Sequence, residues 1–187
     1  MTTTKKITFV LIAVVILVIL YGLTSYNGLV STKEAATAQW QQVETQYQRR
    51  LDLIPNLVAS VQGIMKQEQT VFTALADARA QYAGAQTQGD KAVAAGQVET
   101  ALGRLLAVVE NYPTLKSSDA VQNLMTQLEG TENRVSVERQ RYNDDVQAYE
   151  VSIKHFPRSI IASLFGFSDM QYFQADAGAS VAPKVQI

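Results

Sequence analysis

The chain contains no cysteine, which excludes disulfide staples, thiolate nucleophiles and thiolate metal sites together. A single histidine, His155, leaves no two-histidine metal site. It falls near a predicted helix C-terminus, where partial positive charge is favourable. Only four prolines and ten glycines interrupt 187 residues, and β-branched alternation is missing, so strands are not expected. Basic residues are not in excess: 16 Lys and Arg stand against 17 Asp and Glu. Two of the lysines, Lys5 and Lys6, precede the first apolar run, which leaves the remainder acidic. No basic face for nucleic acid follows from such a balance. Phosphate loops, nucleophile elbows and metal-ligand spacings are likewise absent. These absences predict a chain that is not an enzyme, with no cofactor, no metal and no catalytic residue.

What the chain does have is a greasy beginning. No charge occurs from Ile7 to Leu23, and Phe9 to Tyr21 are apolar without interruption. A bilayer core of about 30 Å takes roughly 17–25 such residues as a helix, so residues 7–24 read as a transmembrane helix after a short flank, 1–6. A cleaved signal peptide is the competing reading. Its apolar stretch is usually about 7–15 residues and ends in a small-x-small site, whereas Tyr21-Gly22-Leu23-Thr24-Ser25-Tyr26 matches that site poorly. Lys5 and Lys6 on one flank put the N-terminus in the cytoplasm and the rest outside it. The expected location is a cell membrane, crossed in a single pass.

Downstream, apolar residues recur at spacings of three and four. Ser31-Thr32-Lys33-Glu34 matches a capping box and predicts a first helix over 31–51, with Ala36, Trp40, Val43, Tyr47 and Leu51 on its stripe. A second, over 52–84, carries Leu57, Val61, Ile64, Val71, Leu75, Ala78 and Tyr82. The third spans 90–111, with Ala94, Val98, Ala101, Leu105, Val108 and Tyr112 on its stripe. Tyr112-Pro113 stops it. The fourth, over 118–155, repeats at sevens: Val121, Leu128, Val135, Tyr142, Tyr149 and Phe156. Pro55 decides the topology. If Asp52 caps a new helix, Pro55 lies in its first turn, where proline is tolerated, and the chain reverses there. The alternative is one long kinked helix and three layers. The favoured fold class is all-α: a single N-terminal transmembrane helix followed by a long antiparallel four-helix bundle over 25–174. A tail from Ala175 to Ile187 reads as disordered. Its last three residues, Val185-Gln186-Ile187, also suit capture by strand addition, with a plain tail as the simpler account.

Polar residues interrupt the stripes. Thr131, Glu138 and Asp145 alternate with the sevens of the fourth helix, with Glu132 and Arg139 beside them. Glu68 falls between Ile64 and Val71, and Arg49 and Arg50 flank the first stripe. A buried carboxylate needs a partner or a proton, so interhelical ion pairs such as Glu68 with Arg50 or Arg139 are expected. A ligand or cation pocket and a solvated flank are the other readings. After Pro157, the apolar residues Ile160, Ile161, Leu164, Phe165 and Phe167 form a short segment that either docks on its own bundle or touches lipid or a partner.

Several strings resemble the LemA family. They are Tyr26-Asn27-Gly28-Leu29-Val30, Gln48-Arg49-Arg50-Leu51-Asp52-Leu53-Ile54-Pro55-Asn56-Leu57-Val58, Glu110-Asn111-Tyr112-Pro113-Thr114-Leu115-Lys116, Leu128-Glu129-Gly130-Thr131-Glu132-Asn133-Arg134 and Arg141-Tyr142-Asn143. Phe156-Pro157, Gly166-Phe167 and Tyr172-Phe173 resemble the closing motifs, so the likeness covers about residues 26–174. It departs at Ile64 and in the loop 84–90. The resemblance implies a bacterial, single-pass, membrane-anchored protein with a long antiparallel helical bundle, and supplies no catalytic residue. Its polar positions Arg49, Arg50, Asp52, Glu132, Asn133, Arg134 and Asn143 coincide with the network inferred above, to which Glu68 and Arg139 belong.

The function that follows is a non-enzymatic scaffold that self-associates or binds another envelope protein. Met125, Val146 and Ile153 are the stripe residues expected to be exposed for assembly. Sensing of an unknown small ligand or cation by the polar seam is one alternative, and membrane shaping by Ile160–Phe167 is another.

Overall fold

A computed structural model describes residues 3–65 and 68–173. The described residues form helices α1 (Thr3–Gln62), α2 (Gln69–Gly84), α3 (Gln88–Glu110), α4 (Pro113–Lys116), α5 (Asp119–Lys154) and α6 (Arg158–Leu164), with no strand among them. The tail from Ala175, Val185-Gln186-Ile187 included, lies outside the described residues.

The first helix is far longer than its predicted span. Because α1 already runs from Thr3, the amides near Ser31 have helical carbonyls behind them and no cap is needed there. Thr32 instead turns its Oγ1 back to Gly28 O and Leu29 O at 3.2 and 3.0 Å. Pro55 also lies inside α1 rather than at a chain reversal. Its ring is exposed, while Leu51, Ile54, Leu57 and Val61 are buried on either side of it. Burial of that continuous stripe outweighs the one backbone bond that proline removes. The helix stops after Gln62, where Ile64 N and Met65 N donate to Val61 O at 3.1 and 3.0 Å. The stripe changes phase at this turn. Met65 is fully buried and Ile64 is 51% exposed, and beyond the turn Phe72 takes the core place expected of Val71.

Helix α3 begins at a cap the spacing did not predict: Thr87 Oγ1 accepts from Asp90 N at 3.1 Å. Val109 rather than Val108 faces inward near its end. In α5 the sevens hold from Val121 through Tyr149, whereas Phe156 is past the helix and 77% exposed. Val146 and Ile153 are buried, so the assembly role expected of those two is lost, while Met125 is half-buried. They occupy the second core row that pairs with the sevens, as in any two-row helical seam.

The described residues divide into two compact units. One combines α1 up to Gln41 with Gln140–Tyr172, and the other holds Gln42–Arg139 with Phe173. In the first, Leu29, Tyr149, Ile153 and Ala162 form a core to which Ile161, Phe167 and Met170 add. Trp40 meets Tyr142 edge-on with ring centroids 5.4 Å apart. The irregular stretch after α6 is laced to α5: Tyr142 OH donates to Gln171 O and Tyr149 OH to Ser168 O, both at 2.9 Å. Gly166, at φ +72°, lets Phe167 N reach Ala162 O at 2.9 Å and close α6. In the second unit, Leu57, Val61, Leu75, Val98, Leu102, Leu105, Leu128 and Val135 supply the buried apolar residues.

Among the described residues two helices are long and apolar enough to cross a membrane, α1 and α3. The apolar side of α3 is taken up by Ala94, Ala95, Val98, Ala101, Leu102 and Leu105, all buried. From Ile7 to Leu20 the large side chains of α1 are bare, Phe9 by 69%. That bare run makes the N-terminal part of α1 the candidate span.

Alanine at position 55 restores a donor in the interior of a continuous helix. Pro55→Ala is therefore expected to raise unfolding free energy by about 1–3 kcal/mol. Circular-dichroism melts in mild detergent check this; an unchanged or lower midpoint would put a chain reversal at residue 55.

Candidate functional site

The 3-4 spacing that buries Val43, Tyr47 and Ile54 also turns Arg50 inward, where it is only 7% exposed. Its guanidinium pairs with Glu132 of α5 and stands 3.8 Å from Glu99 Oε1 of α3. Arg139 Nη1 lies 3.8 Å from the same Glu99 oxygen, and Tyr47 OH donates to it at 2.9 Å. Arg139 also sits over the Phe173 ring, 4.9 Å from its centroid. Two guanidiniums, two carboxylates and a phenol thus converge in the second unit.

Burial pushes the Glu99 carboxyl above its ordinary range, and repulsion from Glu132 adds to this. The Tyr47 hydrogen bond, Arg139 and Arg50 pull the other way without cancelling it. Burial, then the negative Glu99, pushes the Tyr47 phenol up as well. Tyr82, whose ring centroid is 5.8 Å from that of Tyr47, is pushed up to about 12 by burial and by Glu44. Arg50 Nε is buried with no hydrogen-bond partner, as is Gln46 Oε1.

Of the residues singled out from sequence, Arg50, Glu132 and Arg139 come together. Glu68 does not join them: it stands at the start of α2 and accepts from Tyr112 OH at 3.4 Å. The expected pairing of Glu68 with Arg50 or Arg139 is therefore corrected, because the helix phase resets at the 63–68 turn. Arg49, Asp52, Asn133 and Arg134 are exposed, with Asp52 Oδ1 accepting from Gln48 Nε2 at 2.9 Å. Asn143 is half-buried and belongs to the first unit. Glu99 escaped the sequence reading because Ala94, Val98, Ala101 and Leu105 already made a complete stripe. The signal lay one residue over, where Glu99 sits between buried Ala95 and Leu102.

Chemically the cluster is charge-balanced. Its carboxylates are held by arginines, which leaves little for a cation to neutralise. Among the described residues no three His, Cys, Asp or Glu side chains gather as a metal requires.

The segment 160–167 divides in two. Ile161 and Phe167 pack on the first unit's core, and Ala162 is buried in it. Ile160, Leu164 and Phe165 point away and are 58%, 74% and 57% exposed. Phe165 also rests on Tyr26 of α1, with centroids 4.9 Å apart.

A model of the LemA family matches residues 39–187, which contain the whole charge cluster and α6. The magnetosome protein MamQ of Magnetospirillum gryphiswaldense is 30% identical, over 81% of this chain and 65% of that protein. Magnetosome protein MamQ 2 of Paramagnetospirillum magneticum is 31% identical with the same coverage. This chain spans just under two thirds of the length of these curated relatives.

The raised Glu99 carboxyl has a definite consequence for pH. The folded state keeps that proton to higher pH than the unfolded chain, whose glutamate titrates near about 4.3. Stability from this group is whole below that value and is lost as pH rises through the higher folded one. Glu99→Gln removes the titration, so the melting temperature of the variant relative to the native chain is expected to climb over that window. A difference that stays flat from about pH 4 to 7 would refute the buried charge. Arg50→Met leaves Glu99 with one arginine and should cost about 2–4 kcal/mol in denaturant titrations, partly recovered when Glu99→Gln is added.

Proposed function

This chain belongs to the LemA family, and from that premise we propose that it is a membrane-anchored, non-enzymatic helical scaffold that self-associates or binds another envelope protein. The observation that carries the reading is α1 itself. One unbroken helix presents a bare apolar run at its start and a buried stripe, Leu29 to Val61, along the rest. The first part needs lipid and the second needs helices.

Within the second unit the connections between α1, α2, α3 and α5 are short, at 63–68, 85–87 and 111–118. Short connections make neighbouring helices antiparallel, which supports a four-helix packing there. A single pass follows if α1 alone spans, since α3 spends its apolar side on the core. Lys6 before the run favours a cytoplasmic N-terminus and an extracytoplasmic domain. The absence of catalytic activity is supported by the charge cluster, whose groups are committed to one another. The relatives are named as magnetosome proteins. We carry over the shared helical domain and not a magnetosome role.

Native mass measurement after gentle extraction from membranes tests this, with an assembly heavier than one chain as the expected result. A strictly monomeric particle with nothing co-purifying would overturn it. A second reading, ligand sensing through the charge cluster, is favoured by the partnerless Arg50 Nε. It requires a small anion or metabolite that raises the melting temperature, with the gain abolished by Glu132→Gln. A screen in which nothing shifts the melting temperature removes that reading.

A further inference from the structure

We propose that α6 and the end of α5 form a phospholipid-binding foot, with Arg158 taking an anionic headgroup and Ile160, Leu164 and Phe165 entering the upper acyl region. This rests on the membrane-anchored reading and adds the ligand class. Its first support is position. A Cβ built at Gly22 would lie 4.0 Å from Ile161 Cδ1, and Tyr26 touches both Phe165 and Phe167. Thus α6 lies alongside α1 where the bare apolar run ends, and its exposed residues continue that apolar surface. Tyr21 and Tyr26 occur where aromatic side chains favour the headgroup layer.

The second support is chemistry. A groove of about 320 Å³ opens between α1 and the end of α5, walled by Tyr21, Val151 and Phe156. Ser152, His155 and Arg158 supply its polar side. Arg158 Nη1 donates to buried Ser152 Oγ at 3.2 Å, and the guanidinium lies against Gly28, 3.6 Å from where a Cβ would be. The guanidinium is thus tethered at the groove by these two contacts while the residue stays exposed, open to a headgroup. Lys154 is spent on Glu150 and Asp169. Arg158, by contrast, has no carboxylate partner among the described residues, and its remaining donors match a phosphate in fork geometry. An apolar helix face beside a tethered, uncompensated arginine is the pattern of an interfacial lipid contact.

The chain has no native cysteine, so single labels can be placed cleanly. Full-length Leu164→Cys, Val14→Cys and Asp144→Cys variants are labelled with an environment-sensitive dye in phosphatidylcholine vesicles, with and without phosphatidylglycerol. Quenchers attached to lipid are expected to reach labels at 164 and 14 but not at 144. A label at 14 that is quenched while 164 stays in water overturns the foot and leaves the anchor standing. Labels at both positions in water overturn the anchored reading and the foot with it. Native mass spectra of protein in nanodiscs read the headgroup: Arg158→Gln is expected to cut retained phosphatidylglycerol about tenfold. Unchanged retention, or inorganic phosphate protecting the native chain as well as the lipid does, overturns the assignment to Arg158.

Discussion

A backbone in hydrocarbon has no water to bond, so it must satisfy every amide internally, and a single span can do this only as a helix. On the proposed membrane-anchored reading that requirement governs the start of α1, and the packing of its later part obeys a different one, burial of a stripe at threes and fours. Both are met by the same unbroken rod from Thr3 to Gln62. Local signals that would start or stop a helix within it are overridden. The Ser31–Glu34 box has no free amides to cap. Pro55 removes one bond on an exposed face while Leu51, Ile54 and Leu57 stay buried beside it. The helix ends only after Gln62, at the turn that begins with Gly63.

Apolar stripes at near-sevens define which face is buried more firmly than they define axial register, since a slide by one repeat buries similar residues. The second unit answers this with Arg50, whose guanidinium is surrounded by protein and has its carboxylates on two other helices. Any slide would leave that charge buried without a partner, at a cost of several kcal/mol. Burial disfavours the charged form of Glu99, so the arrangement is held against its own desolvation. The first unit uses tyrosines for a similar end. Tyr142 and Tyr149 bury their rings at positions of the repeat and hand their hydroxyls to the backbone after α6. A repeat position thereby becomes an anchor for a segment with little regular structure.

Much of the secondary structure was legible. The sevens in α5 located its core row from Val121 to Tyr149, and Pro113 and Pro157 marked real interruptions. The legibility failed where a choice depended on what lies opposite. Val146 and Ile153 read as spare apolar residues until a second helix face covered them. Glu99 read as surface because a neighbouring stripe was already complete. Ile161 and Phe167 could not be told from Ile160 and Leu164 by type, since all four are apolar and close in sequence. Only the side that meets Leu29 and Tyr149 separates them.

The amino-acid order alone determined that this chain is helical, lacks the residues for thiol chemistry, carries one long uncharged apolar run and belongs beside others of its family. Those properties follow from composition and short-range periodicity, which every residue carries wherever the chain folds. Tertiary structure decided where α1 ends, which carboxylates meet Arg50, and which face of α6 is left outward. Each of these is a competition between distant surfaces, settled by burial and pairing that local spacing does not encode.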